Sequence, residues 1–475
     1  MNFTILDIAL LVIFAISVSI FLFLHKKNLK KDGLMILYRT KLGMKLIDSF
    51  GKKHKTLLTV LSYISIITGF ILMGLMIYFF GKLVWTYIFQ SQVVKLMKIP
   101  PIMPLIPYLP QMFKLSFLPP FYFTYWILIL AIVAISHEFS HGIFMRRYNI
   151  KIKSTGFGFF PFFLPVFLAA FVEQDEKNME KKKIFPQMAV LSAGTFANVI
   201  IGILFAIILI LFFTFSFSPA GVVFDSYTYS IISSSTIISI NNSTVENLDY
   251  SNFLDSINEK GLTEVKTENG SFLITKSFLE SQKENENYFY LYNNAPAIKE
   301  NLSNTIIKIN GNSVKSKTEL ANELSKYSPE DKIIITTLED DAYVDYEIVL
   351  DRYPENESLP YLGIGFLTSE SSGILGTLKN LFLSFKDSNV YYESNFEAAE
   401  FIYNLLWWLV LISFSVALIN MLPVGIFDGG RFFYLAILGI TKSENKAKKA
   451  YSLMTYIFLA LLAVIMVFWA INLWK

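Results

Sequence analysis

His137-Glu138-Phe139-Ser140-His141 sets two imidazoles four residues apart, with a carboxylate beside the first. On a helix, residues four apart lie one above the other, so His137 and His141 can bind one Zn²⁺ from a single face. Glu138 can then reach a water at the metal and take its proton. The segment before the pair, Phe121 to Ser136, contains no charged residue. Ionisable groups in an apolar span are costly and mark function by default. The combination implies a zinc hydrolase working within a bilayer, with one Zn²⁺ per site.

Two histidines do not complete such a site, which usually has three protein ligands and an open fourth position. The chain has no Cys and only four His, so a further ligand must come from His, Asp or Glu. The candidate is Asp428, within Asn420-Met421-Leu422-Pro423-Val424-Gly425-Ile426-Phe427-Asp428-Gly429-Gly430. A carboxylate directly after an apolar span, between a proline and glycines, is out of place as a solvated surface residue. Pro423 can break the helix, and the glycines allow close backbone approach. A helix-terminus or turn role is the alternative for Asp428.

The elements that must position these residues are apolar. Of 475 residues, 53% are hydrophobic and 17% charged, against about 45–50% and about 25% in ordinary soluble domains. A net charge of +3, scattered along the chain, gives no nucleic-acid footprint. The absence of Cys excludes a disulfide framework and a thiol nucleophile. Runs long enough to span a membrane are Phe3–Leu24, Leu57–Phe89, Phe121–Met145, Phe185–Phe217, Leu405–Pro423 and Tyr451–Leu473. The first lacks a basic leader and a small-residue cleavage site, which points to a retained span rather than a signal peptide.

Basic residues set the orientation. Clusters lie at Lys26–Lys55, at Arg146-Arg147, at Lys181–Lys183 and between Arg431 and Lys449. Alternating the spans puts all of them on the cytoplasmic side, and both termini and residues 218–360 outside. The histidine pair and Asp428 then share one depth, towards the cytoplasmic face.

The expected fold is a polytopic α-helical membrane protein of about six spans with an extracytoplasmic α+β insert. Its regions are 1–120, two spans with a basic cytoplasmic loop; 121–217, the catalytic membrane core; 218–366, the insert; 367–400, an interfacial segment; and 401–475, the C-terminal core. Gly156–Val172, broken by Pro161 and Pro165, suggests a re-entrant loop or hairpin beside the site. Ile374, Leu378, Leu381, Phe382 and Phe385 follow helical spacing beside Lys379 and Lys386, as in an interfacial amphipathic helix or a surface helix of the insert.

The insert contains an echo. Thr236-Ile237-Ile238-Ser239-Ile240-Asn241, followed by Val245, matches Thr305-Ile306-Ile307-Lys308-Ile309-Asn310, followed by Val314. Each copy suggests strand, tight turn, strand and helix. The second is followed by strand-like runs at Lys332–Thr337 and Asp345–Leu350, whereas the first lacks clear closing strands. This order resembles PDZ domains, which bind extended peptides by adding a strand to a sheet edge.

HExxH on one span, with NxxP and DGG at the end of a later one, resembles the site-2 protease family of intramembrane zinc metalloproteases. Phe171-Val172-Glu173-Gln174-Asp175-Glu176 and Ser192-Ala193-Gly194-Thr195-Phe196-Ala197-Asn198 also match, most like the archaeal and eukaryotic branch. The likeness covers roughly residues 120–475. It implies His137, His141 and Asp428 as zinc ligands, Glu138 as general base, and Asn198 and Asn420 as residues that position substrate. It also implies transmembrane protein substrates in a lipid bilayer. Where the family often has Gly-Pro, this chain has Gly194-Thr195, which bears on the aim of Asn198. Asn198 can equally be an interhelical hydrogen-bonding residue.

Two other classes are compatible with membrane-embedded His and Asp. A transporter would show inverted repeats and discontinuous spans in matching halves, which are not seen. A non-catalytic scaffold would have lost a base or a ligand, whereas Glu138 and both histidines are present.

Overall fold

Inside lipid, only a structure that satisfies its own backbone hydrogen bonds is stable, so long uncharged runs become helices. The computed structural model describes residues 3–32, 35–90, 94, 101, 103–115, 117–159, 168–245, 248–282, 287–367 and 385–473. Among them are the helices α1 (Phe3–Leu24), α2 (Met44–Lys53), α3 (Lys55–Phe89), α4 (Phe123–Arg147), α5 (Ile184–Ser216), α6 (Ala399–Asn420), α7 (Asp428–Thr441) and α8 (Glu444–Leu473). Six of these, all but α2 and α7, are long and apolar enough to cross a membrane, matching the six runs read from the sequence. The 35-residue α3 and 33-residue α5 exceed the usual span.

The chain forms two units, Met1–Phe212 with Glu400–Lys475, and Phe213–Ala399. In the first, α4 starts after the extended Tyr122 and ends on Arg146 and Arg147, cations that suit the negative end of the helix dipole. Asn149, at φ 53°, takes the left-handed conformation just beyond it. Tyr125, Trp126, Ile129 and Val133 of α4 pack on Trp408, Leu409 and Ile412 of α6. Farther along α4, Phe144 and Met145 join Ile47, Met188, Ala193, Met421 and Phe432 in a second core.

Beside α4 stands a four-stranded antiparallel sheet of β1 (Leu29–Asp32), β2 (Met35–Thr40), β3 (Ile152–Phe159) and β4 (Leu168–Gln174), in that order. The hairpin expected over Gly156–Val172 is therefore β3 and β4, its tip at 160–167 lying outside the described residues. The basic segment after α1 is not simply a loop, as the sequence reading had it: it supplies β1, β2 and α2. Its strand Met35–Thr40 is short, shows no alternation and is cationic towards its end, so its pairing with β3 is decided by tertiary contact. α2 rests on α4 through Ile47, which is buried against Gly142.

The second unit holds two mixed modules. In one, strands 229–233, 288–293, 270–274, 263–267, 237–240 and 243–244 form a sheet in that order. In the other, strands 342–349, 332–339, 305–309, 217–223 and 390–394 do so, with 312–313 beside 305–309. The sequence echo is thus structural: strand, tight turn, strand, helix and antiparallel hairpin recur. The first copy does have its closing strands, Thr263–Thr267 and Gly270–Ile274. Its buried Thr263, Val265 and Thr267 alternate with Glu264 and Lys266, and the turn is Glu268-Asn269, after which Gly270 opens the next strand at φ 143°. Threonines serving as inward-facing residues hid this alternation from a purely hydrophobic reading. Ile374, Leu378, Leu381 and Phe382 lie outside the described residues.

Candidate metal centre

The helix α4 turns His137 and His141 to one side, both buried. Their Nε2 atoms are 3.1 Å apart. Asp428 Oδ2 lies 3.3 Å from His137 Nε2 and 3.2 Å from His141 Nε2. Three donors at the corners of a near-equilateral triangle fit one face of a tetrahedral zinc site, where Zn–N of about 2.0–2.1 Å implies edges of about 3.3 Å. Ligand atoms of His137, Glu138 and His141 also lie within 4.8 Å of one another. Two imidazoles and one carboxylate suit Zn²⁺, and the residues present fit that ion.

Asp428 reaches the histidines because the chain breaks after α6. Met421–Phe427 form a tight turn, and α7 begins at Asp428 itself. A Cβ on Gly429 would sit 2.3 Å from the Met421 carbonyl carbon, and one on Gly430 would sit 2.4 Å from the Val424 carbonyl oxygen. Both glycines let the first turn of α7 pack onto that turn. Asp428 is therefore both a helix-terminal residue and a neighbour of both histidines. Arg431 ties α7 to Glu176, at 2.7 Å.

The stripe Val190, Gly194 and Asn198, spaced four apart on α5, backs the histidine pair. The Val190 carbonyl oxygen is 2.6 Å from His141 Nδ1. An Nδ1–H donated there leaves the Nε2 lone pair facing Asp428. The Asn198 amide is 3.0 Å from His137 Nδ1 and is fully buried. Its Oδ1 has no partner among the described residues; turning the amide over lets that oxygen accept from Nδ1–H. Between them, a Cβ on Gly194 would fall 2.5 Å from His141 Nε2 and 2.6 Å from His137 Nε2. Thr195, where Gly-Pro is common, leaves α5 continuous and bonds the Ser192 carbonyl at 2.9 Å. In the sequence Gly194 stands out only as part of Gly194-Thr195; its close approach to the two imidazoles is a finding of the structure. The available signal was the need for a small residue where a helix backs two imidazoles.

Glu138 points to the sheet. Its Oε2 accepts the main-chain N–H of Val172, on β4, at 3.0 Å. That amide is directed away from β3, so it belongs to the outer edge of the sheet. Successive residues alternate, so Ala170 presents its backbone to the same edge. A cavity of about 360 Å³ joins this edge to His137 and Asp428, lined also by Ile129, Val133, Glu138, Ala170, Ile412, Val416 and Asn420. Asn420 thus borders the cavity, whereas Asn198 lies behind His137. A second cavity of about 230 Å³, between α2, α4 and the sheet, also touches Glu138 and Ala170.

A sequence model of the family described as Peptidase family M50 matches residues 125–465. No curated protein matches the chain.

Proposed function

The chain belongs to Peptidase family M50, zinc-dependent intramembrane metallopeptidases, and we propose from that premise that it cleaves membrane-protein substrates within or near their transmembrane helices, as in regulated intramembrane proteolysis. The observation that carries this reading is the convergence of His137, His141 and Asp428 next to Glu138 at the end of an apolar cavity. In our reading these three hold one Zn²⁺. When bound, the ion would supply Lewis acidity, polarising the scissile carbonyl and lowering the pKa of water towards about 7.

Glu138 takes a proton from the attacking water and later gives it to the leaving amine. Val172 N–H holds the carboxylate in place for that transfer. A helical substrate hides its carbonyls in its own hydrogen bonds and must unwind locally. The edge at Ala170, which pairs with no other strand among the described residues, offers an unwound segment new backbone partners, so it lies extended across Glu138. Apolar walls from Ile129, Val133, Ile412 and Val416 accept its side chains and exclude bulk water. Asn420 contacts the substrate backbone from the cavity rim.

Placement follows from the Lys and Arg clusters: the site faces the cytoplasmic side and the two sheet modules lie outside. As PDZ-like modules they would exclude bulky ectodomains or hold freshly exposed tails. The test is cleavage of a fluorescently labelled transmembrane substrate by the full chain in vesicles. Cleavage should stop with a chelator and return with Zn²⁺. Protein carrying one equivalent of zinc that cuts no transmembrane substrate would overturn the proposal in favour of a scaffold.

A further inference from the structure

The helix that carries both histidines begins without a cap of its own. Tyr122 occupies its N-cap position and its side chain accepts nothing. The first N–H groups of a helix have no intrahelical partner, and burying them unsatisfied is costly. Here the partner comes from another span. Asp7 of α1 is fully buried. Its Oδ2 accepts the Phe123 main-chain N–H at 2.7 Å and its Oδ1 the Thr124 N–H at 2.9 Å. The Thr124 hydroxyl bonds Oδ1 as well. Tyr108 donates its phenol to Oδ2 at 2.6 Å, and burial together with this carboxylate holds that phenol protonated, well above its ordinary range.

A carboxylate in an apolar span needs such partners to be tolerated, and the positive end of a helix dipole favours it. Among the described residues of α1, Asp7 and Val18 are the buried ones. Leu11, Phe14 and Ala15 also pack, partly buried, against the core between α4 and α6, and the Phe3 ring meets Tyr122 at 4.8 Å.

We propose that Asp7 is a positioning residue for the peptidase reaction: a cap supplied in trans by α1 that fixes the start, and so the axial setting, of the histidine-bearing helix. A helix transmits displacement along its axis, so slack at Phe123 moves His137 and His141 against Asp428, which sits on a different element. The proposal rests on the peptidase reading for its kinetic consequence, but the cap itself can be scored without catalysis.

The experiment uses the full chain in vesicles and three forms, Asp7→Ala, Tyr122→Ser and the two combined. Ser at 122 can accept from the second or third helical N–H, placing a cap in cis. Amide hydrogen exchange at Phe123 and Thr124, and the visible spectrum of bound Co²⁺, are read beside kcat and KM. For Asp7→Ala we expect faster exchange at those amides, an altered Co²⁺ spectrum and kcat down by about ten- to a hundredfold, with KM within about threefold. The double variant should recover protection at Thr124, the second helical N–H, together with most of the spectrum and kcat, while Phe123, the first, stays fast-exchanging. Unchanged exchange and spectrum in Asp7→Ala would overturn the cap. Failure of the double variant to recover would overturn it too, leaving Asp7 a packing residue. If even the unmodified chain cuts nothing, the peptidase reading fails while exchange and spectrum still decide the cap.

Discussion

Glu138 Oε2 and the main-chain N–H of Val172 are 3.0 Å apart, so the proposed base is fastened to the strand edge proposed to carry the substrate. Glu138→Gln keeps an acceptor for Val172 and removes only the ability to take a proton. The variant should bind one equivalent of zinc, retain substrate and lose cleavage by about a hundredfold or more. Single-turnover assays with metal analysis check this. Cleavage surviving at a tenth of the original rate would show that another group is the base.

Gly194 is the close-approach point of α5 on His137 and His141. A methyl there would meet His141 Nε2 at 2.5 Å, in the middle of a continuous helix backed by packed neighbours. Gly194→Ala should therefore lower zinc affinity by at least tenfold while leaving the chain folded. Gly81→Ala is the control, because a Cβ there meets nothing within 4 Å, and alanine is a better helix residue than glycine. Competition with a chromogenic chelator measures both. Equal affinities would mean that α5 can shift without disturbing the histidines.

How much of this could be read from residue order depends on how local each signal is. His137 and His141 are one helical turn apart, so their pairing needed only a period, and span lengths needed only composition. Asp428 needed a break in apolarity, visible in Pro423, Gly429 and Gly430, and a depth argument, carried by the Lys and Arg clusters. The backing of the histidines by Val190 was invisible, because a main-chain carbonyl carries no residue signature. Asp7 was legible only as an interruption in an apolar run; its four donors come from residues 108, 123 and 124, which sequence distance separates from it. The joining of β2 to β3 is likewise a long-range pairing that neither strand announces.

Asn198 sits behind His137 rather than in the cavity, which favours an orienting role over substrate contact. Second partners of metal-bound histidines typically matter by about 10- to 100-fold in metal affinity. Asn198→Ala should weaken zinc binding by that amount, with KM for substrate close to unchanged. Asn198→Asp, which keeps an acceptor for Nδ1–H, should restore most of the affinity. A rise in KM with zinc affinity intact would return Asn198 to the role of a substrate contact.

The sheet that carries Val172 is itself braced from the next residue. Glu173 on β4 accepts from Arg39 on β2, at 2.8 Å and 3.4 Å, reaching across β3, where Ser154 adds a third bond at 2.5 Å. Burial works against ionising this carboxylate, but the hydrogen bonds from Arg39 and Ser154, with the charges of Arg39 and Lys153, outweigh it and hold Glu173 below its ordinary value of 4.5. A group with a depressed folded pKa stabilises fully above its unfolded value, and that stabilisation is lost as pH falls through the folded one. Arg39→Met should thus lower the thermal midpoint at pH 7, by the equivalent of about 1 kcal/mol or less for a pair that is partly exposed. The gap between the two proteins should close as pH falls below about 4.5, because protonated Glu173 no longer distinguishes Arg39 from Met. Midpoints measured from pH 7 to pH 3 in detergent test this. A gap that persists unchanged at pH 3 would assign the effect to lost packing of the Arg39 stem rather than to the ion pair.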